Sequence, residues 1–161
     1  MIKEVSPGKL AAAKGFANES RLLAALLERG FNASRVDLPH STYDMVLVTD
    51  GGSLIRIQVK TVSSNGRINF SGGTRGGIDR KYRSDIKTYT QNTETADVVV
   101  GVRSVKANGD TEIDFFFVPT IFIEKIGQKS ILISKVQESK NNWILLEKCK
   151  DKDFVYSELT L

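Results

Sequence analysis

The chain has 161 residues and a formal net charge of +4, and 40% of its residues are hydrophobic while 26% are charged, a composition typical of a globular domain. Its apolar runs are far shorter than the roughly 20 residues that cross a bilayer, and its first residues lack the apolar core of a signal peptide, so we expect a cytoplasmic protein with no membrane partner. Cys149 is the only cysteine, which excludes an internal disulfide and a cysteine metal cluster. The length fits a single domain over 1–161.

The first predicted element is a helix that starts at Ser6 and Pro7 and stops at Gly30. Glu19 lies in its middle, away from the end-capping positions. The predicted apolar face of this helix consists of six residues, Leu10, Ala13, Phe16, Leu23, Leu26 and Leu27.

Three short strands are predicted next, over 33–36, 43–48 and 54–62. The Asp50-Gly51 turn joins the last two as a hairpin. Residues 63–81 contain five glycines and no periodicity, which predicts a long, mobile loop with a functional role.

Weak helical spacing follows over 82–92, and a continuous apolar run over 96–102 predicts a central strand buried on both faces. A further strand over 113–118 ends at Pro119. Beyond it, 121–126 and 131–136 have helical signals and 143–146 is predicted as a strand. The order of elements predicts an α/β fold in which helices flank a mixed sheet.

Positive charge is concentrated in one stretch. Between 56 and 87 there are eight basic residues and two acidic ones. Such a zone is typical of a phosphate-binding surface, although a solvated basic surface has the same composition.

The run "RIQVKT" at 56–61 alternates polar and apolar residues, so Gln58 and Lys60 lie on one face of the predicted strand. The hairpin brings Asp44 towards this pair. A carboxylate and an amide oxygen suit Mg²⁺, which keeps several waters, and an adjacent lysine can orient or deprotonate one of them. An exposed strand lysine, a surface amide and a turn aspartate are the plainer alternatives.

The residues "YDMVLV" and "GGSLIRIQVKT" resemble the metal-binding hairpin of the PD-(D/E)-xK nucleases, which have the restriction-endonuclease-like fold. The family pattern of an acid, a spacer, a second acid, any residue and Lys matches Asp44, Gln58 and Lys60, with an amide in place of the second acid. Glu19 matches the helical glutamate of many members, unless it is a solvated residue or the ion-pair partner of Arg21 or Lys14. The resemblance covers roughly 8–120, with greatest similarity to small bacterial intron-encoded homing endonucleases.

This resemblance implies a Mg²⁺-dependent, site-specific DNA endonuclease with Asp44, Gln58, Lys60 and Glu19 as catalytic residues. It also implies metal ligation by Asp44, Gln58, Glu19 and Val59, with Mn²⁺ as a substitute and Ca²⁺ supporting binding without cleavage. The expected partners are double-stranded DNA and further copies of the chain, a tetramer by resemblance and a dimer at minimum. A Holliday-junction resolvase and a catalytically inactive DNA-binding module on the same fold are the alternatives.

Residues 1–120 would form the nuclease core, with 63–81 as the DNA-reading loop, and 121–161 a C-terminal extension that makes subunit contacts or ordinary core contacts. His40, near Asp44, either touches the scissile phosphate or has no assigned task. Arginine and asparagine side chains can recognise base edges, and lysines and hydroxyls bind phosphates. The predicted DNA-binding residues are Ser63, Ser64, Arg67, Asn69, Arg75, Arg80, Lys81, Arg83 and Lys87.

Overall fold

A computed structural model describes residues 5–38, 41–72 and 88–161. A long helix comes first, a run of strands follows it, and short helices with one further strand come last. Two single 3-10 turns, Ile133–Lys135 and Gln137–Ser139, lie near the end of the chain. The elements are α1 (Pro7–Glu28), β1 (Asn32–Arg35), β2 (Met45–Val48), β3 (Leu54–Thr61), β4 (Arg67–Asn69), β5 (Ser71–Gly72), β6 (Tyr89–Thr90), β7 (Val98–Ala107), β8 (Asp110–Pro119), α2 (Thr120–Ile126), β9 (Ser130–Leu132), α3 (Trp143–Glu147) and α4 (Lys152–Glu158).

Five strands form one sheet in the order β1-β2-β3-β7-β8. The β3–β7 pair is parallel and the other three pairs are antiparallel. β7 is the continuous apolar run of the sequence, and Val98–Val102 are buried. The predicted fold class, a mixed α/β sheet flanked by helices, is confirmed.

α1 packs on one face of this sheet, but with a different set of residues from the predicted one. The buried positions are Asn18, Leu22 and Leu26, spaced by four, whereas Leu10, Phe16 and Leu27 are 49%, 59% and 52% exposed. Only the second half of the helix bears a buried stripe, and in the first half an apolar pattern lies on exposed positions. Ser6 makes no side-chain capping bond, and Gly30 ends the segment with a φ of 81°.

The predicted loop over 63–81 is structured in its described part. Residues 67–69 form β4, which pairs with β9, and 71–72 form β5, which pairs with β6. Ile68 and Phe70 are fully buried. Tyr89 and Thr90 are extended instead of helical, because β6 hydrogen-bonds to β5. Within the two predicted segments, residues 73–87 lie outside the described residues.

Two predictions for the C-terminal third are wrong. Residues 143–146 belong to the helix α3, which the Asn142 side chain caps by accepting from the Leu145 amide. Residues 130–132 form the strand β9, followed by a single 3-10 turn at 133–135. Phe122, Ile131 and Leu145 are in the core.

The C-terminal third also holds the single cysteine. Cys149 is fully buried in the core cluster. Burial is the main cause that raises the pKa of its thiol to about 12, and the charge of Asp97 adds to the rise. The cysteine is therefore protonated and inert at neutral pH.

Candidate active site

The run "RIQVKT" forms most of β3, and its two faces have separate tasks. Ile57 and Val59 are buried beneath α1, while Arg56, Gln58 and Lys60 point to the opposite face. Arg56 has a structural partner there. Its guanidinium pairs with the buried carboxylate of Asp97 at 2.9 Å and also donates to two nearby carbonyls. Arg56 thus belongs to a structural ion pair, which leaves Gln58 and Lys60 as the functional candidates.

Asp44 meets Gln58 where β2 leaves β3. The strand pairing ends at Met45 and Ile57, so the amide of Val59 has no partner from β2. The Asp44 carboxylate takes its place, because one of its oxygens accepts from the Val59 amide and from Gln58 Nε2, each at 2.7 Å. Gln58 Nε2 also lies 3.3 Å from the Val59 carbonyl oxygen. The structure thus brings Asp44, Gln58 and Val59 together.

Glu19 reaches the same place from α1. It forms an ion pair of 2.8 Å with Arg35 on β1, and not with Arg21 or Lys14. Arg21 instead donates to Asn18. Burial raises the pKa of Glu19, and the charge of Asp44 raises it further against the opposing effect of Arg35. Two carboxylates therefore share one partly buried environment.

The pKa of Asp44 is raised as well. Burial is the largest cause, and it outweighs the Val59 hydrogen bond and the charges of Lys60 and Arg35, which lower the pKa. Both carboxylates are therefore harder to ionise than in water, and a cation bound between them would favour their charged forms.

Lys60 lies on the face of the sheet that bears Gln58. Its ammonium donates to the Ser71 carbonyl on β5 at 2.9 Å. This contact ties the predicted catalytic lysine to the short β5–β6 pair that covers this face. The described part of the segment 63–81 therefore holds the Lys60 ammonium in position.

The sequence analysis missed Tyr89, which lies near the Ser71 carbonyl that accepts from Lys60. β6 pairs Tyr89 with Gly72, the residue after Ser71. A Cβ atom added to Gly72 would stand 2.6 Å from the Tyr89 ring and 2.7 Å from its hydroxyl oxygen. Burial raises the pKa of this phenol; the Gln91 side chain opposes the rise and the charge of Asp44 adds to it. No sequence signal marked Tyr89, because the contact depends on strand pairing between distant segments.

The donor set suits a hard divalent cation. Asp44 and Glu19 supply carboxylate oxygens, Val59 a carbonyl oxygen and Gln58 an amide oxygen, which are the ligand types that Mg²⁺ takes together with water. Gln58 presently turns its nitrogen to Asp44, so ligation by its oxygen requires rotation of the amide. Within the described ranges, no group of three or more His, Cys, Asp or Glu residues is placed to hold a metal, so any cation here would rely on amide, carbonyl and water oxygens too.

The predicted DNA-binding residues divide into two groups. Arg67 donates to Ser130 at 3.1 Å, Asn69 accepts from the Ser71 amide, and the Ser63 hydroxyl accepts from the Arg67 amide. Ser64 is exposed in the turn before β4. His40 and the remaining five, Arg75, Arg80, Lys81, Arg83 and Lys87, lie outside the described residues.

Comparison with known proteins finds a structure with the same fold but no match in sequence. No protein-family model and no curated protein matches the chain in sequence. Among solved structures, the chain has the fold of a bacterial nuclease of the homing class. That neighbour is the homing endonuclease I-Ssp6803I, with a TM-score of 0.62 and 17% sequence identity over 92% of this chain and 99% of the other.

The likeness extends over nearly the whole of both chains, and it is a likeness of fold. Separately, none of the helices in the described part of the chain is long and apolar enough to cross a membrane.

Proposed function

We propose that this protein is a metal-dependent DNA endonuclease that hydrolyses phosphodiester bonds at the site formed by Asp44, Gln58, Lys60 and Glu19. The observation that carries the proposal is the meeting of Asp44 with Gln58 at 2.7 Å, in a place where the charge of Asp44 also raises the pKa of Glu19. The shared fold with a bacterial homing endonuclease supports it. The order of residues along the chain fits the PD-(D/E)-xK pattern with glutamine in the second acidic position.

Asp44 and Glu19 would hold Mg²⁺, with Gln58 Oε1 and the Val59 carbonyl as further ligands. When bound, the cation supplies Lewis-acid stabilisation of the phosphate and a more acidic water. Arg35 offsets the charge of Glu19 and keeps its carboxylate in place. The hydrogen bond from the Val59 amide fixes one oxygen of Asp44, and the other oxygen would be the one that binds the cation.

Lys60 would orient the attacking water and hydrogen-bond to the phosphate oxygens as negative charge builds up on them. Its bond to the Ser71 carbonyl limits the positions of the ammonium. Tyr89, packed over Gly72 next to this carbonyl, is placed to steady the same region. Positioning of this kind is a substantial part of catalysis, because misplacement by about 1 Å costs on the order of 100-fold in rate.

The substrate we propose is a specific duplex DNA site cut in both strands, as in homing. The described part of the chain offers one such site. We therefore propose that a double-strand break needs two copies, for which a two-fold dimer is the smallest symmetric arrangement. Base recognition is assigned to the segment 63–81, with Arg67 and Asn69 in its described part. Both side chains make intramolecular bonds, which DNA would have to replace.

The test is cleavage of a randomised duplex library with Mg²⁺, with Lys60→Ala and Asp44→Asn beside the parent protein. Discrete double-strand cuts at one motif, lost in both variants, are expected. Lys152→Ala and Asp153→Asn are matched controls on the exposed surface of α4 and should cut like the parent. Absence of product with Mg²⁺ and with Mn²⁺ would refute the endonuclease proposal.

A second candidate function rests on one observation. Gln58 presents its nitrogen to Asp44 and so satisfies the carboxylate without a cation, which is what a DNA-binding module on an inactive nuclease fold would show. In that case DNA affinity persists with Ca²⁺, Mg²⁺ or EDTA, no product forms, and Lys60→Ala alters affinity alone.

A further inference from the structure

A groove lies against the side of α1 that bears Asn18 and Arg21. It has a volume of about 740 Å³ and runs between the first half of α1, the end of β3 with the following turn, and the outer part of β7. Its lining includes four basic side chains, Lys14, Arg21, Arg103 and Lys106, and no carboxylate from the described part of the chain. We call it the α1–β7 groove.

One of the basic side chains is held in place from inside the protein. Asn18 is buried, with 3% of its surface exposed. Its amide nitrogen donates to the Thr61 hydroxyl at 2.9 Å, and its oxygen accepts from Arg21 at 3.0 Å. The buried side chain of Asn18 therefore links α1 to the end of β3 and orients the Arg21 guanidinium. Such pre-orientation lowers the entropy cost of binding an anion.

The other residues that line the groove also suit an anionic ligand. The hydroxyls of Thr61, Ser63 and Ser104 line the groove between the basic groups, and hydroxyls and cations together are the usual contacts of nucleic-acid phosphates. Arg103 and Lys106 are exposed on the part of β7 that extends beyond the buried strand centre. On α1 the groove is lined by Asn18 and Arg21, which flank Glu19 in the sequence, and on β3 by Thr61, the residue after Lys60. The groove and the candidate site therefore use neighbouring positions of the same two elements.

We infer that the α1–β7 groove binds the phosphate backbone of the DNA that the candidate site cuts, as a surface that shares only the turn residues Ser63 and Ser64 with the segment 63–81. This inference rests on the proposed function, since it takes duplex DNA as the partner. The groove would hold the strand through charge and hydroxyl contacts without reading bases. It therefore contributes affinity that is equal for all sequences and strongly dependent on salt.

The experiment compares DNA affinity as a function of salt in Ca²⁺ for three proteins. They are the parent, the triple variant Arg21→Ala, Arg103→Ala, Lys106→Ala, and a control triple variant with the same loss of charge, Lys125→Ala, Lys148→Ala, Lys152→Ala. The control lysines lie on the C-terminal helices or next to them and contact aromatic rings there. Each lost phosphate contact lowers the slope of log affinity against log salt by about 0.9.

We expect the groove variant to lose about 2–3 units of slope and on the order of 100-fold in affinity at 0.15 M salt, for specific and random duplexes alike. The control should keep its slope. A double variant, Arg103→Ala with Lys106→Ala, removes no bond to Asn18 and should lose about 2 units, which separates lost contacts from a disturbed α1.

The possible results separate the two proposals. An unchanged slope in the groove variant, or an equal loss in the control, overturns the groove while cleavage by the parent still supports the endonuclease. A parent that binds DNA through the groove but never cuts it supports the groove and refutes the endonuclease. A parent that binds no duplex overturns both.

Discussion

Gly72 is the position where a single methyl group should disturb the site most. An alanine Cβ there would lie 2.6 Å from two carbons of the Tyr89 ring, about 1 Å inside the ~3.5 Å at which carbon atoms attract each other. Either the ring or the β5 backbone must move by about this distance. If β5 moves, the Ser71 carbonyl that holds Lys60 moves with it.

Gly72→Ala is therefore expected to lower the free energy of unfolding by about 1–3 kcal/mol, the usual cost of overpacking. It should also slow single-turnover cleavage of bound DNA by about 10- to 100-fold, because the lysine is displaced from its working position. Affinity for DNA should hardly change. Urea unfolding and cleavage by excess protein, followed over time, measure the two effects.

Two further variants decide whether the Tyr89 contact is the cause. Removing the ring by Tyr89→Ala should make room, so the double variant with Gly72→Ala should be at least 1 kcal/mol more stable than additivity requires. Gly15→Ala adds the same methyl group on α1, where nothing lies within 4 Å, and should stabilise by about 0.5–1 kcal/mol. Additive effects at 72 and 89, or full cleavage by Gly72→Ala, would refute the reasoning.

Three other predictions concern Asp44, Gln58 and Asp97. Folding raises the pKa of Asp44, so the native state holds this proton more tightly than the unfolded chain and stability falls as pH rises from the ordinary value of 3.8 through the raised one. Asp44→Asn should therefore be more stable than the parent in urea at pH 7 but not at pH 3, while cleavage drops by about 100-fold or more. Gln58→Glu replaces a 2.7 Å hydrogen bond to Asp44 with repulsion between two carboxylates. This variant should melt at a lower temperature than the parent without metal and need about 10-fold less Mg²⁺ for half-maximal stabilisation. Gln137→Glu, on the exposed surface, is its control, and equal Mg²⁺ responses of the two variants would contradict the prediction. Asp97→Asn breaks the ion pair with Arg56 and should cost about 3 kcal/mol in unfolding free energy, the low end for a buried pair because Arg56 is a quarter exposed, with cleavage retained below the melting temperature.

The residues of the candidate site were predictable because their placement is local. An Asp-Gly turn fixes a hairpin register, and alternation along β3 then decides which side chains share a face. Asp44 and Gln58 needed no information from distant parts of the chain. Glu19 was predictable only through resemblance, since its partner Arg35 lies on a strand whose contact with α1 is set by tertiary packing.

The wrong predictions are those in which tertiary contacts override the local pattern. Trp143–Leu146 has the apolar, aromatic composition of a strand, yet Asn142 caps it as a helix that packs against β8. The buried stripe of α1 includes Asn18, a polar residue that no apolar period selects. Tyr89 lies in a stretch whose spacing predicts a helix, but it pairs with Gly72, 17 positions earlier. Long-range pairing of this kind leaves no local signal.

The inert thiol of Cys149 makes this chain a ready background for labelling. The one cysteine is enclosed in the core and remains protonated at neutral pH, so maleimide dyes should leave the folded parent unmodified. A new cysteine on an exposed position, such as Ser104 beside the α1–β7 groove or Ser157 on α4, would then be the sole reactive point. Fluorophores at those two places would report the arrival of DNA separately at the groove and at a remote surface, in the protein as it stands.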